Sequence, residues 1–202
     1  EGYYDEVFAI PPMIEMLAPM ADQIDGVVVG CFDDTGVDAL RSLLNVPVVG
    51  ICQASMQAAA VLSNKFSIIT TLPVSVPALE NLVRRYGFGD MCCRVRAADI
   101  PVLDLESNSE EAILSIKKEL ERALAEDGAE AIILGCAGMV DLSRTLTSQY
   151  HMPVIDGVGA AIKLVEGLAT LGLPTSSLGG YASPPKKSYS GVLARYSPDT
   201  EA

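Results

Sequence analysis

The chain has 202 residues, 50% of them hydrophobic and 20% charged, with a formal net charge of −12, which suits an ordinary globular protein with one sizeable core. That charge disfavours nucleic acid and anionic membrane surfaces as partners, and no apolar run approaches the roughly 20 residues that span a bilayer. Five cysteines, with no C-x-x-C pair and one histidine, His151, argue against a zinc site and against a disulfide framework.

The N-terminal stretch EGYYDEVFAIPPM has neither a basic region nor an apolar signal segment, so a cytoplasmic location is the expectation. Residues 12–22 carry apolar side chains at helical spacing, with Pro19 set to end the turn. GVVVG (26–30) is short, β-branched and continuously apolar, as a strand buried on both faces should be. A helix over 36–44, a strand over 46–51, a helix over 53–64 and a strand over 66–71 follow. The spacing then predicts a helix over 75–87 closing on Gly87, and a strand over 91–96. Ser107 with Glu110 fits a capping box for an amphipathic helix that Gly128 stops, behind an acidic, solvated start between Glu106 and Glu111. A strand over 130–135, a helix over 140–150, a strand over 152–157 and a helix over 159–172 complete the pattern. The Pro-, Gly- and Ser-rich stretch 173–202 reads as a partly extended surface tail.

Short apolar strands alternating with helices predict an α/β fold of parallel strands with helices on both sides. One segment is duplicated. Cys31 to Pro47 and Cys136 to Pro153 span nearly equal intervals, and each runs strand, Gly-Cys, helix, then a strand opening on Pro-Val. The expectation is one domain over 1–202 made of two similar lobes related by a pseudo-twofold, with cores near 24–72 and 129–158. The chain crosses between the lobes, and the active site lies in the cleft.

In parallel units ligands bind at the carboxyl ends of strands, where the following helices point their N-termini. Cys31 and Cys136 occupy two such ends. Helix N-termini favour thiolate over thiol, and the N–H groups of Phe32, Asp33, Ala137 and Gly138 could meet a developing oxyanion. Two thiols facing one cleft suit the inversion of a stereocentre beside a carbonyl, one removing the proton and the other returning one on the opposite face. That chemistry needs no cofactor. A buried core role is the common fate of a free cysteine, and it is the reading given to Cys52, Cys92 and Cys93. Asp33 and Asp34 read as helix caps rather than metal ligands. Thr70 and Thr71 could bind a ligand or simply begin a turn before Pro73. His151 precedes Met152-Pro153 at a strand start, on the sheet edge away from the cysteines.

GCFDDTGVDALR, FSIITTLPVSVPALE and LGCAGMVDLS together resemble the hydantoin racemases and allantoin racemases of the aspartate/glutamate racemase superfamily. The resemblance implies that Cys31 and Cys136 are the two acid/base thiols. It also implies that backbone around Phe32, Asp33, Ala137 and Gly138 holds a cyclic ureide, that Thr70 and Thr71 touch it, and that Gly157 shapes the cleft. It further implies a homo-oligomer. Such proteins usually open with a strand ending in Asn-Pro-Asn followed by Thr or Ser, and no such segment occurs in this sequence. The competing expectations are a non-catalytic ligand-binding protein and an amino-acid racemase or decarboxylase of the same superfamily.

Overall fold

The computed structural model describes residues 2–105 and 110–198; Ser107 of the proposed capping box and positions 106–109 of the acidic stretch lie outside the described residues. Helix α1 covers Tyr3–Leu17, β1 Val27–Val29, α2 Val37–Leu43, β2 Val48–Gly50, α3 Ile51–Leu62, β3 Phe66–Thr70 and α4 Val76–Arg85. The chain continues through β4 Cys92–Ala97, α5 Val102–Leu105, α6 Glu110–Arg122 and β5 Ala131–Leu134. It ends with α7 Val140–Tyr150, β6 Val154–Asp156 and α8 Gly157–Thr170, before the tail. Among the described residues no helix is long and apolar enough to cross a membrane.

Two parallel sheets form, one of β1-β2 and one in the order β4-β3-β5-β6. The duplicated segments are the matching pairs β1/β2 and β5/β6, with Val28 opposite Val49 and Ile132 opposite Val154. The expected first core, 24–72, does not hold as one unit. Strand β3 leaves β1 and β2 behind and sits centrally in the four-stranded sheet. The reason is coverage: all five β3 residues are buried, and the four-stranded sheet has helices on both faces to cover them. One face packs under α3, α4 and α8 in a cluster holding Phe66, Ile68 and Ile133; the other packs Ile69, Ile132 and Leu134 against α6 and α7.

Helices α3 and α8 join the sheets. They lie along each other, α8 also touching β1, β2 and β6. Small residues on both (Ala54, Ala58 and Ala59; Gly157, Ala160 and Ala161) let the backbones approach closely. Helix α4 ends as its sequence predicts. Gly87 at φ 82° donates to the Arg84 carbonyl at 3.1 Å and Phe88 to that of Val83 at 2.9 Å, a Schellman closure.

One helix differs from expectation. It starts at Tyr3 and runs through Pro11 and Pro12, whose missing N–H groups free the carbonyls four residues back. None of its residues is buried, so water reaches those carbonyls.

Beside β4 the sheet carries a buried charge. Arg96 donates to Asp127 at 2.6 and 2.7 Å, to Glu126 at 2.8 Å and to Glu119 at 3.4 Å, and Ser67 donates to Asp127 at 3.0 Å. Both the Arg96 and Asp127 side chains are almost fully buried, and Asp127 closes a π-helical turn, Ala123–Asp127. The Arg96 guanidinium holds the Asp127 carboxyl below its usual range. A depressed folded value means the interaction stabilises fully above the unfolded pKa of about 3.9 and is lost as pH falls through the folded one. Arg96→Leu is expected to cost roughly 3–5 kcal/mol, since it strands buried carboxylates. In urea titrations the stability gap between wild type and Asp127→Asn should narrow below about pH 4.

Candidate active site

Within each sheet the strands run parallel, so Cys31, Thr70, Cys136 and Gly157 all follow carboxyl ends. Register brings two of these ends together: Ile69 lies opposite Leu134, and Thr70 Oγ1 donates to the Gly135 carbonyl at 3.4 Å. Gly135 has little room, since a Cβ there would meet the Ile69 carbonyl at 3.1 Å and Thr70 Cα at 3.2 Å. Thr70 and Thr71 are both buried beside the Cys136 corner.

The seam between the sheets is closer still. A Cβ on Gly157 would stand 2.5 Å from the Ile51 carbonyl oxygen. The end of β6 therefore abuts the end of β2, and Asp156 caps α8 there by accepting from the Gly159 N–H at 2.5 Å.

Phe32 and Ala137, the residues after the two cysteines, belong to one hydrophobic cluster with Ile51, Cys52, Ile133 and Ile155. The two corners thus meet the same core through Phe32 and Ala137, while Cys136 itself packs against the other cluster with Ile69, Leu134 and Met139. The Phe32 ring is buried in it, leaving its backbone as the part that can meet a ligand.

The two corners are not equivalent. Cys136 is extended and passes directly into the helical turn Ala137–Met139 and then α7, with the Met139 N–H donating to its carbonyl at 3.1 Å. That is the helix N-terminus the sequence suggests, with its unpaired N–H groups and partial positive charge. Gly138 is exposed, although Leu105 would lie 3.3 Å from a Cβ there. At the other corner α2 does not begin until Val37. Two successive turns intervene, Asp34 N–H to the Cys31 carbonyl at 3.0 Å and Val37 N–H to the Asp34 carbonyl at 3.2 Å. The Cys31 thiol is exposed and lies 3.4 Å from Thr35 Oγ1.

Cys31, Asp33 and Thr35 line an open groove of about 480 Å³, walled by β1 on one side and by Met13, Met16 and Leu17 of α1 on the other. Glu6 and Asp33 face it as well. Burial pushes both carboxyls up, and the Asp33 charge pushes Glu6 further. One Glu6 oxygen is buried with no hydrogen-bond partner among the described residues. Cys136 is not among the residues lining this groove. The structure gathers Cys31, Asp33 and Thr35 at one place and Thr70, Thr71, Cys136, Ala137 and Gly138 at another, with Gly157 at the seam.

The remaining cysteines fall apart from these corners. Cys52 is fully buried, and burial pushes its thiol well up, with Asp34 adding to the shift. Cys92 packs against the main cluster, and burial followed by Cys93 pushes its thiol up to about 12. Cys93 is half-buried and belongs to none of the three hydrophobic clusters among the described residues, against the expectation of core packing. It is the residue that the ladder skips where β4 pairs with β3, since Phe66 lies opposite Cys92 and Ser67 opposite Arg94. His151 is exposed at the end of α7 in a left-handed conformation, away from both corners as expected. Among the described residues no group of three or more His, Cys, Asp or Glu is placed to hold a metal ion.

Asp34 does cap a helix, but a different one. Its carboxylate accepts from the Cys52 and Gln53 N–H groups at the start of α3, each at 3.0 Å. Sequence reasoning missed this and the place of Glu6 in the groove, because α3 is remote from Asp34 in the chain and the rest of the groove is remote from Glu6.

Residues 1–165 match a family model described as Asp/Glu/Hydantoin racemase. A hydantoin racemase of Rhizobium meliloti is 48% identical over 192 residues, which cover 95% of this chain and 80% of that protein. The solved allantoin racemase of Klebsiella pneumoniae superposes with a TM-score of 0.93 at 42% identity, over 98% of this chain and 82% of the other. The allantoin racemase of Pseudomonas fluorescens gives 0.90 at 36% identity, over 95% and 81%.

Alkylation of the native protein should follow exposure, with Cys31 modified before Cys52, and Cys52 only on unfolding; peptide mass mapping over time reads the order. Gly157→Ala forces the seam open and should cost roughly 1–3 kcal/mol by thermal or urea unfolding.

Proposed function

The chain belongs to the Asp/Glu/hydantoin racemase family, and from that premise we propose that it is an isomerase inverting the C5 stereocentre of a five-membered cyclic ureide, allantoin or a 5-substituted hydantoin. Cys31 and Cys136 are its two acid/base groups. The observation that supports this reading is the pair of Gly-Cys corners at carboxyl ends of matching β-α-β pairs, whose next residues, Phe32 and Ala137, pack in one hydrophobic cluster.

The chemistry follows from the corners. The C5–H of such a ring is acidified by the adjacent carbonyl. A thiolate on one face takes that proton, and the electron pair spreads onto the carbonyl oxygen as an enolate. A thiol on the other face then protonates C5, giving the opposite hand and leaving the two sulfurs with exchanged proton states. In the reverse direction the roles swap, so one site serves both enantiomers. The N–H groups of Ala137 and Gly138, at the start of the α7 run, suit the developing enolate oxygen, and the backbone of Phe32 and Asp33 faces the ring from the other corner. Thr70 reaches the Cys136 corner through Gly135, and Thr71 follows it as a second candidate contact. No cofactor enters these steps.

A homo-oligomer and a cytoplasmic location belong to the same proposal. Tyr4, Val7, Phe8 and Met16, exposed on α1, supply apolar surface for a self-contact, and sedimentation would give the mass.

Each enantiomer of allantoin and of a 5-alkyl hydantoin, incubated with the protein in D₂O, should lose optical rotation as deuterium enters C5. Cys31→Ser and Cys136→Ser should each lower racemisation by roughly 10²–10⁴-fold. Each variant should still exchange the C5 proton of the one enantiomer its remaining thiol serves. Ligand-induced thermal stabilisation with no exchange above background would favour a binding protein instead.

A further inference from the structure

Asp34 sits in the loop between β1 and α2, three residues after Cys31, yet its carboxylate serves elements far from that loop. It is 7% exposed. One oxygen accepts from the Cys52 N–H at 3.0 Å, and the other accepts from the Gln53 N–H at 3.0 Å and from the Tyr86 hydroxyl at 2.8 Å. Tyr86 caps α4, which packs on β4 of the four-stranded sheet. One carboxylate therefore ties the first sheet's loop to the shared helix α3 and to the second sheet's helix α4.

The ordinary N-cap position of α3 is Gly50, which carries no side chain; the Asp34 carboxylate fills the space a Cβ would occupy. A serine or aspartate at 50 would cap α3 locally. A cap delivered from 18 residues away does something a local one would not, which is to fix the loop that delivers it. That loop carries Cys31. Its backbone doubles back at Asp34, where φ is 49°, a left-handed conformation that Asp tolerates better than most residues. Arg41 secures the receiving side, donating to the Val48 carbonyl at 3.0 and 3.1 Å and to Gln53 Oε1 at 2.8 Å. Burial pushes the Asp34 carboxyl up, opposed by the hydrogen bonds from Cys52, Tyr86 and Gln53. Among the described residues the thiol's own hydrogen-bond contact is the 3.4 Å one with Thr35, so the place of the sulfur follows the place of the loop.

We infer that Asp34, held by Tyr86 and the α3 N-terminus, is a positioning residue that sets the Cys31 thiol against the ring while leaving the Cys136 corner untouched. This rests on the two-thiol racemase reading above.

The test compares C5 proton exchange of the two enantiomers separately, in D₂O, for wild type, Tyr86→Phe and Asp34→Asn. The enantiomer served by Cys31 is the one whose exchange Cys31→Ser abolishes. In both variants that exchange should fall roughly 10- to 100-fold, while the opposite enantiomer's initial exchange stays within about twofold. General destabilisation removes folded molecules and lowers both alike, so a parallel fall, or no change in either, overturns the role of Asp34 and leaves the racemase standing. A wild type that exchanges neither enantiomer of any ring overturns the racemase reading itself. In that case the ratio of Cys31 to Cys136 alkylation rates by iodoacetamide judges the anchoring alone. A several-fold change in both variants supports it, and an unchanged ratio overturns it.

Discussion

Where β6 passes into α8, the Gly157 backbone lies so close to the Ile51 carbonyl that no side chain fits between them. That contact fixes how the carboxyl end of one sheet meets the carboxyl end of the other. The alanines of α3 and the small first turn of α8 extend the same closeness along the seam, so two separate sheets share a cluster that holds Phe32 and Ala137, the residues after the two cysteines. A bulkier residue at the seam would wedge the corners apart without touching either thiol. Proton transfer to carbon tolerates little of that, since reacting atoms must sit within about 3–3.5 Å of one another.

The corners differ in how their charge is managed, and the difference has a chemical meaning. Cys136 stands at the head of a helical run, where unpaired N–H groups favour a negative neighbour. Near Cys31 the nearest buried anion is Asp34, whose charge is already spent on the N-terminus of α3 and the Tyr86 hydroxyl. Glu6 and Asp33 add carboxyls that burial keeps closer to neutral. A two-base racemase needs one thiolate and one thiol at any instant. Under the proposal above, the two thiols work in unlike surroundings, helix N–H groups beside Cys136 and carboxyls beside Cys31.

Much of this was legible in the sequence. Strands such as Val27–Val29 and Ala131–Leu134 are continuous apolar runs between glycines, and the two Gly-Cys corners with their Pro-Val return strands mark a duplication. The helix closing at Gly87 and the distant His151 follow from local chemistry alone. What stayed hidden depends on contacts remote in the chain. Strand β3 looks like a continuation of the first lobe, because periodicity reports burial and not which sheet does the burying. Asp34 looks like a cap for the next helix, because the helix it serves is recognisable only once β2 lies beside β1. The long α1 hides behind Pro11 and Pro12, a pair that ordinarily ends a helix.

The molecule buries its strongest polar contacts in two places, and both are irregular stretches of backbone. Arg96 and Asp127 meet where α6 unwinds into a π turn, and Asp34 sits in the double turn that delays α2. Buried charges contribute little net stability compared with apolar packing, but breaking one is costly, so they penalise every alternative arrangement. The Arg96 cluster fixes β3, β4 and the start of β5 relative to one another, which sets the strand ends carrying Thr70 and Cys136. Asp34 fixes the opposing loop that carries Cys31. Hydrophobic burial alone would hold the sheets together yet leave each corner free to slide by an ångström. The two-thiol reaction proposed above asks for directional contacts of this kind, because its reacting atoms must sit within about 3–3.5 Å of one another.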